Sequence, residues 1–369
     1  MKEIYIDGKN DFFASANTRY GFYSLFDEVF DRKKFEKVYI IKGGSGTGKS
    51  SLMKKVREKC DSEGMKTQGV LCSSDPISLD GLTVGGNIAA FIDGTSPHTT
   101  DPVYPGAVDN IINLGEFWNE ELIRKNRNVL ITLDEKKKQS ISRAYKYLKA
   151  AGDIADDTLN IISQNFDFGK MKKAILRFFD NEFGKNGVFT QKKCFTTCFN
   201  RNGYGRSLFF ENMSCRRCIV ENDRGSYSYF FEEMLSEARK RDIPVIVSYD
   251  CFDPRKADGL YFPDESLCVT RCSDRDKYRC VAGEPYRIFN MERFISCDTL
   301  RRNKEKLRFG NKCSDELMHA SSESFDEAFS IHSETESIYI SAMDFFEKER
   351  FTAELVKEFE TFLESRKND

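Results

Sequence analysis

The chain has 369 residues, room for two domains of ordinary size, and its 57 Lys+Arg against 59 Asp+Glu leave a net charge of -2. That balance argues against a nucleic-acid or anionic-lipid surface, and 40% hydrophobic content with no long uncharged apolar run argues against both a disordered chain and a membrane span. The opening Met1-Lys2-Glu3-Ile4-Tyr5-Ile6-Asp7 lacks the apolar stretch and small-residue cleavage site of an export signal, so the twelve cysteines are expected as free thiols and the protein as cytoplasmic.

In chain order, the first informative element is Val38-Tyr39-Ile40-Ile41-Lys42, a short β-branched and aromatic run that reads as a strand. Gly43-Gly44-Ser45-Gly46-Thr47-Gly48-Lys49-Ser50 follows at once, and then Leu52, Val56 and Cys60 at helical spacing. Strand, glycine loop and helix in this order form a P-loop. The glycines let backbone N–H groups turn inward around phosphates, and the helix beginning near Lys49 directs its positive end at them. Lys49 is expected at the β- and γ-phosphates, and Ser50 as a Mg²⁺ ligand.

A third apolar run, Thr67 to Cys72, leads into Ser73-Ser74-Asp75-Pro76. Asp75 has two readings: the N-cap of a following helix with Pro at its first position, or a general base at the carboxyl end of a strand. Asn87 to Ile92 reads as a buried strand ending in Asp93-Gly94, the place for the second Mg²⁺ acid. No Glu follows Asp93, so the adjacent acid pair that polarises water in fast ATPases is missing. Beyond it, Pro97, Pro102 and Pro105 stiffen a loop that carries His98, one of three histidines in the chain, either solvated or placed near the γ-phosphate.

Residues 116–183 carry helical stripes such as Trp118, Leu122, Val129 and Leu133, which are expected to cover a sheet. The second half then echoes the first. Asp75-Pro76 with Asp80-Gly81-Leu82 recurs as Asp253-Pro254 with Asp258-Gly259-Leu260 at an offset of 178, and Arg124-Lys125-Asn126 recurs as Arg301-Arg302-Asn303 at 177. The chemistry does not recur. Opposite the glycine loop stands Glu221-Asn222-Asp223-Arg224-Gly225-Ser226-Tyr227-Ser228, with no Lys and two acids, a poor anion site. The counterpart of Asp93 falls near Thr270, so the metal acid is missing too. Cys215 and Cys218 form one CxxC without a second pair and are read as thiols; Arg301 to Arg308 reads as a solvated helix face.

With Gly43 to Ser51, Cys72-Ser73-Ser74-Asp75, Ser78-Leu79-Asp80-Gly81, Asp93 to His98, Asp101-Pro102 and Pro105-Gly106-Ala107 in one chain, the sequence resembles an uncharacterised bacterial family of tandem P-loop ATPases. The resemblance covers nearly the whole chain, strongly to about Ala151, and implies nucleotide use without a physiological substrate. Family members often keep a P-loop in the second half, and this chain departs from them there.

The expectation is therefore an α/β protein, a duplicated P-loop NTPase three-layer fold with a mainly parallel sheet and helical appendages. One domain is expected over 1–185 and a degenerate copy over 186–369. ATP and Mg²⁺ are the expected ligands. Gly43, Gly44, Ser45, Gly46, Thr47, Gly48, Lys49, Ser50 and Ser51 would hold the nucleotide, Ser50 and Asp93 the metal, and Lys49, Asp93 and Asp75 the chemistry. Slow ATP hydrolysis coupled to movement of the helices is the leading reading, with Arg124 as candidate arginine finger. The alternatives are a small-molecule or nucleotide kinase with Asp75 as base, and a nucleotide-switched binding module. A protein partner or homo-oligomer fits any of them, and a nucleic-acid partner fits poorly.

Overall fold

The structure, a computed structural model, describes residues 4–6, 10–184, 187–221 and 223–367. Met1 to Glu3 and Asp7 of the opening segment, and Asn222 of the degenerate loop, lie outside these. None of the helices among the described residues is long and apolar enough to cross a membrane.

The first sheet is built as its apolar runs dictate. β1 (Lys37–Lys42) buries Val38 to Ile41, and the glycine loop turns it into α1 (Lys49–Ser62), which buries Leu52, Met53, Val56 and Cys60 along one face. β2 (Thr67–Leu71), β3 (Leu79–Val84), β4 (Ala89–Asp93) and β5 (Asp109–Asn113) join it, and these five strands lie in the order β2-β3-β4-β1-β5. β1 runs parallel to β4 and β5, whereas β3 runs antiparallel to both of its neighbours. The sheet is thus mixed rather than mainly parallel. The cause lies in short connections, which only antiparallel neighbours can use. Between β2 and β3 the chain turns over Asp75 to Ser78, with the Ser78 N–H on the Asp75 carbonyl at 2.8 Å. No helix follows Asp75, so the capping reading fails. Gly85 and Gly86, both at positive φ, then turn β3 into β4.

The second sheet repeats the first. Long helix α2 (Arg127–Ser163) and α3 (Phe168–Glu182) lead to β6 (Gln191–Cys194), β7 (Arg216–Glu221), α4 (Tyr227–Lys240), β8 (Val245–Tyr249), β9 (Ala257–Phe262), β10 (Leu267–Arg271) and β11 (Arg287–Asn290). Their order is β6-β8-β9-β10-β7-β11, with β9 antiparallel to both neighbours. Even the irregularity recurs: the register shift at Val70/Leu71 in β2 reappears at Ser248/Tyr249 in β8. Two further helices, α5 (Lys304–Ser341) and α6 (Phe345–Lys367), repeat α2 and α3.

The chain nevertheless does not divide at 185. It forms one compact unit from residues 26–141 with 326–369 and another from residues 1–25 with 142–325. The expected domains followed the sequence repeat, but each half of the chain covers its sheet with helices taken from the other half. In the first unit Trp118 bridges Met343, the Asn119 N–H meets the Ala342 carbonyl at 2.8 Å, and the Asp344 N–H meets the Phe117 carbonyl at 2.8 Å. The second unit makes the same contacts with the halves exchanged: Ile295 bridges Phe166, Ser296 N–H meets the Asn165 carbonyl at 3.3 Å, and Asp167 N–H meets the Phe294 carbonyl at 2.7 Å.

The exchange supplies core. In the first unit Tyr39 of β1 and Phe91 of β4 stack at 4.4 Å, and Phe359 of α6 packs edge-on against both at 5.9 and 5.1 Å. In the second, Phe178 and Phe179 of α3 pack on Phe289 and Phe262 at 5.2 and 6.0 Å. Truncating Phe359, only 2% exposed, opens a cavity over the first sheet although the residue lies more than 260 positions from Tyr39 and Phe91 in sequence. Phe359→Ala is expected to lower the stability of the first unit by about 3–5 kcal/mol, measured by urea unfolding. A loss under about 1 kcal/mol would mean that α6 does not cover that sheet.

Candidate functional site

The site of the first unit sits where β1 ends. Gly46 and Gly48 hold φ of +72° and +85°, which side-chain-bearing residues rarely adopt, and α1 starts at Lys49 with its free N–H groups turned toward the loop. The Lys49 ammonium donates to the Gly43 and Gly44 carbonyls, both at 2.9 Å, and lies 3.6 Å from Asp93 Oδ2. Asp93 ends β4, the strand beside β1, so the sheet register brings the two together. Its other oxygen accepts from the Thr95 N–H at 2.9 Å and the Thr95 hydroxyl at 2.5 Å. Burial pushes the Asp93 carboxyl above its ordinary range, with the Lys49 charge and the Thr95 bonds pulling the other way. Ser50 begins the helix, and its hydroxyl accepts from the Leu79 N–H at 3.0 Å.

These residues fit a nucleoside triphosphate and its metal. A Cβ on Gly43 would strike the Thr47 hydroxyl at 2.7 Å and one on Gly46 would strike Ile340 at 2.7 Å, so the loop tolerates only glycine there. The buried indole N–H of Trp118 has no hydrogen-bond partner among the described residues, and the ring edge next to it lies where a Cβ on Gly44 would be, 3.1 Å away. One serine and one carboxylate are few ligands, but Mg²⁺ commonly takes only one or two protein ligands and completes its shell with phosphates and water. Among the described residues there is no cluster of three His, Cys, Asp or Glu side chains that would form an all-protein metal cage.

The other expected residues take different places. Asp75 accepts from the Ser78 hydroxyl at 2.9 Å and has the partly buried His332 of α5 in its electrostatic neighbourhood. His98 is buried: its Nε2 lies 3.0 Å from Asp80 Oδ2 and its ring stacks on Phe26 at 4.1 Å. The proline-bearing loop is pinned by Lys42, which donates to the Gly94 and Thr100 carbonyls at 2.9 and 2.6 Å, and by Arg32, which meets Asp109 at 3.0 Å. Arg124 is largely exposed and pairs with Glu120 at 3.5 Å. All twelve cysteines are free, and burial beside Asp80 pushes the Cys72 thiol well above its ordinary value.

What sequence reasoning missed is the covering layer. Within the first unit, α5 lies directly on the loop: Glu336 and Ile340 are at Gly46, and Tyr339 is 3.7 Å from where a Cβ on Gly44 would be. His332 stands near Lys137 and Lys49, and burial together with those cations holds its imidazole below its ordinary value. Lys348 of α6 is 1% exposed and its ammonium is 2.9 Å from where a Cβ on Gly48 would be. The one available signal was Lys348 standing in line with Thr352, Leu355 and Phe359, a charge at the head of an otherwise core-facing helical stripe.

The equivalent place in the second unit has opposite chemistry. Tyr227 begins α4 where Lys49 begins α1. Arg271 pairs with Val220 as Asp93 pairs with Ile41, so the residue opposite Asp93 is Arg271 rather than the neighbouring Thr270. Arg271 lies over the Tyr227 ring at 4.0 Å, meets Asp223 at 2.9 Å and Asp250 at 3.7 Å, and Tyr227 donates to Asp250. The expected acids, Glu221 and Asp223, are each held by an arginine, Arg275 and Arg271. A cavity of about 270 Å³ opens here, lined by Arg271, Asp250, Asp258 and Tyr204 among others.

Comparison with known proteins finds no matching family model, no matching curated protein and no matching solved structure.

Asp258 gives the second unit a measurable signature. Burial, with Asp250 adding to it and Arg206 opposing, pushes its carboxyl from 3.8 up to about 7. The unfolded chain releases this proton first, so between these values it binds fewer protons than the folded chain and stability falls as pH rises. Wild type is expected to lose stability relative to Asp258→Asn between pH 4 and pH 7, read by urea unfolding across that range. A constant difference between the two would place Asp258 in an ordinary solvated environment.

Proposed function

We propose that the first unit binds ATP at the glycine loop and hydrolyses it slowly with Mg²⁺, as the resemblance to tandem P-loop ATPases implies, and that α5 and α6 respond to the nucleotide. The observation that carries this reading is the convergence of the Lys49 ammonium, the amino end of α1 and the positive-φ glycine loop on one place, with the Asp93 carboxylate beside it. Backbone N–H groups and a helix start are a ready anion site, and a lysine added to them favours a phosphate chain over a single anion. Ser50 and Asp93 would hold Mg²⁺, which neutralises charge on the β- and γ-oxygens.

The role of each side chain follows from its place. Lys49 leaves the Gly43 and Gly44 carbonyls for phosphate oxygens, and the loop amides stabilise charge as it develops on the transferring group. Gly94 follows Asp93 where fast ATPases carry a second acid, which supports slow turnover. Because α5 rests on Gly44 and Gly46, a nucleotide that orders the loop also changes what α5 packs against. That coupling supports a function in which nucleotide state sets the position of residues 326–369.

Phosphate release from Mg-ATP tests the reading. Lys49→Ala is expected to lower it by about 100-fold or more, and chelation of Mg²⁺ to abolish it. Release at the wild-type rate from Lys49→Ala would overturn the assignment of the site. Hydrogen exchange of residues 326–369 is expected to slow on adding Mg-ATP, and unchanged exchange there would refute the coupling.

A further inference from the structure

Lys348 is the feature of the first unit that core packing does not explain. Its side chain is 2% exposed, and its one ion-pair partner among the described residues, Glu349 at 3.1 Å, is 45% exposed and also holds Lys55. Taking an ammonium out of water costs several kcal/mol unless a well-placed anion compensates. The surroundings make matters worse: the ammonium lies against Gly48, one residue before the positive amino end of α1, in the same loop that carries Lys49. Two ammonium groups and a helix start at one loop repel one another, and a polyanion seated among them turns that repulsion into binding.

The second unit provides an internal control. Lys348 and Met171 occupy the same place in the repeat. Each sits four residues after an aspartate, Asp344 or Asp167, and each N–H meets that aspartate's carbonyl at 3.1 Å. Each of these aspartates also caps its helix through its side chain, at 3.0 Å to the Glu347 N–H and 2.8 Å to the Lys170 N–H. Met171 belongs to an apolar core that includes Tyr227. The position is therefore well served by an apolar side chain. The copy with a phosphate loop carries a buried cation there, and the copy in which Tyr227 replaces the loop lysine carries a methionine.

We propose that Lys348 is a catalytic residue of the nucleotide site: its ammonium contacts the β- and γ-phosphates of the bound triphosphate and stabilises the charge that develops during transfer. The assignment rests on the nucleotide reading of the glycine loop. It gives the swapped helix a chemical role, because the first half of the chain then supplies the phosphate loop and the last helix supplies the opposing cation. α6 must stay docked for the site to be complete, so turnover depends on the position of α6.

Mg-ATP affinity by calorimetry and phosphate release in a single turnover test this, on wild type, Lys348→Met, Lys348→Arg and Lys49→Ala of the full chain. Lys348→Met copies what Met171 already does in the other unit, and the expected result is a folded protein that binds Mg-ATP at least about tenfold more weakly and releases phosphate about 100-fold more slowly. Lys348→Arg, which keeps the charge, is expected to stay within about tenfold of wild type in both. Should Lys348→Met fail to fold, Lys348→Gln carries the same comparison. Unchanged affinity and unchanged release in the folded Met or Gln variant would overturn the proposal while leaving the nucleotide site intact. Failure of the nucleotide reading looks different, since wild type then shows no binding that Lys49→Ala removes.

Discussion

A sheet with apolar residues on its faces cannot stay open to water, and in this chain each sheet is closed by helices from the opposite half of the sequence. That single constraint organises the rest. It explains why a plain tandem repeat folds into units that interleave in sequence, with the sheet of residues 26–141 covered by helices from 326–369 and the second sheet covered by α3 from the first half of the chain. It also explains the paired contacts at Trp118 and Met343 and at Ile295 and Phe166, which are one contact made twice with the halves exchanged. Phe359 against Tyr39 and Phe91 shows how much core depends on it.

The same exchange places chemistry. The glycine loop lies at the end of β1, but what lies over it comes from α5 and α6, more than 280 residues later. His332, Glu336, Tyr339, Ile340 and Lys348 reach the loop only because the C-terminal helices belong to the first unit. In the second unit the corresponding loop has traded Lys49 for Tyr227 and Asp93 for Arg271, and its acids are bound to Arg271 and Arg275. One fold thus carries two electrostatic solutions at equivalent places: one with lysines at a glycine loop and a single carboxylate beside Lys49, and one whose arginine is held between carboxylates.

Legibility in the sequence followed locality. Gly43 to Ser50 could be read directly, because positive φ and close approach demand glycine at fixed spacing. Asp93 was legible as an acid ending an apolar run. The duplication was legible through Asp75-Pro76 and Asp253-Pro254, though the offset falls from 178 to 177 further along the chain and the shorter one misplaces the counterpart of Asp93 by one residue; the pairing of Val220 with Arg271 puts it at the 178 offset. β3 was misread, because Asp-Pro followed by spaced apolar residues suits a helix as well as a turn and strand. The domain boundary failed for a different reason: a repeat reveals where a unit recurs and says nothing about which copy's helices cover which sheet. Lys348 was hidden for the same reason, since its contact with Gly48 is set by tertiary packing alone.

The central claim is that one of the two copies holds a nucleotide and the other does not. Titration of Mg-ATP into the full chain by calorimetry measures that directly, through the stoichiometry. The account predicts one ATP per chain and none in Lys49→Ala. Two per chain would contradict it at the second unit, and no binding at all would contradict it at the first.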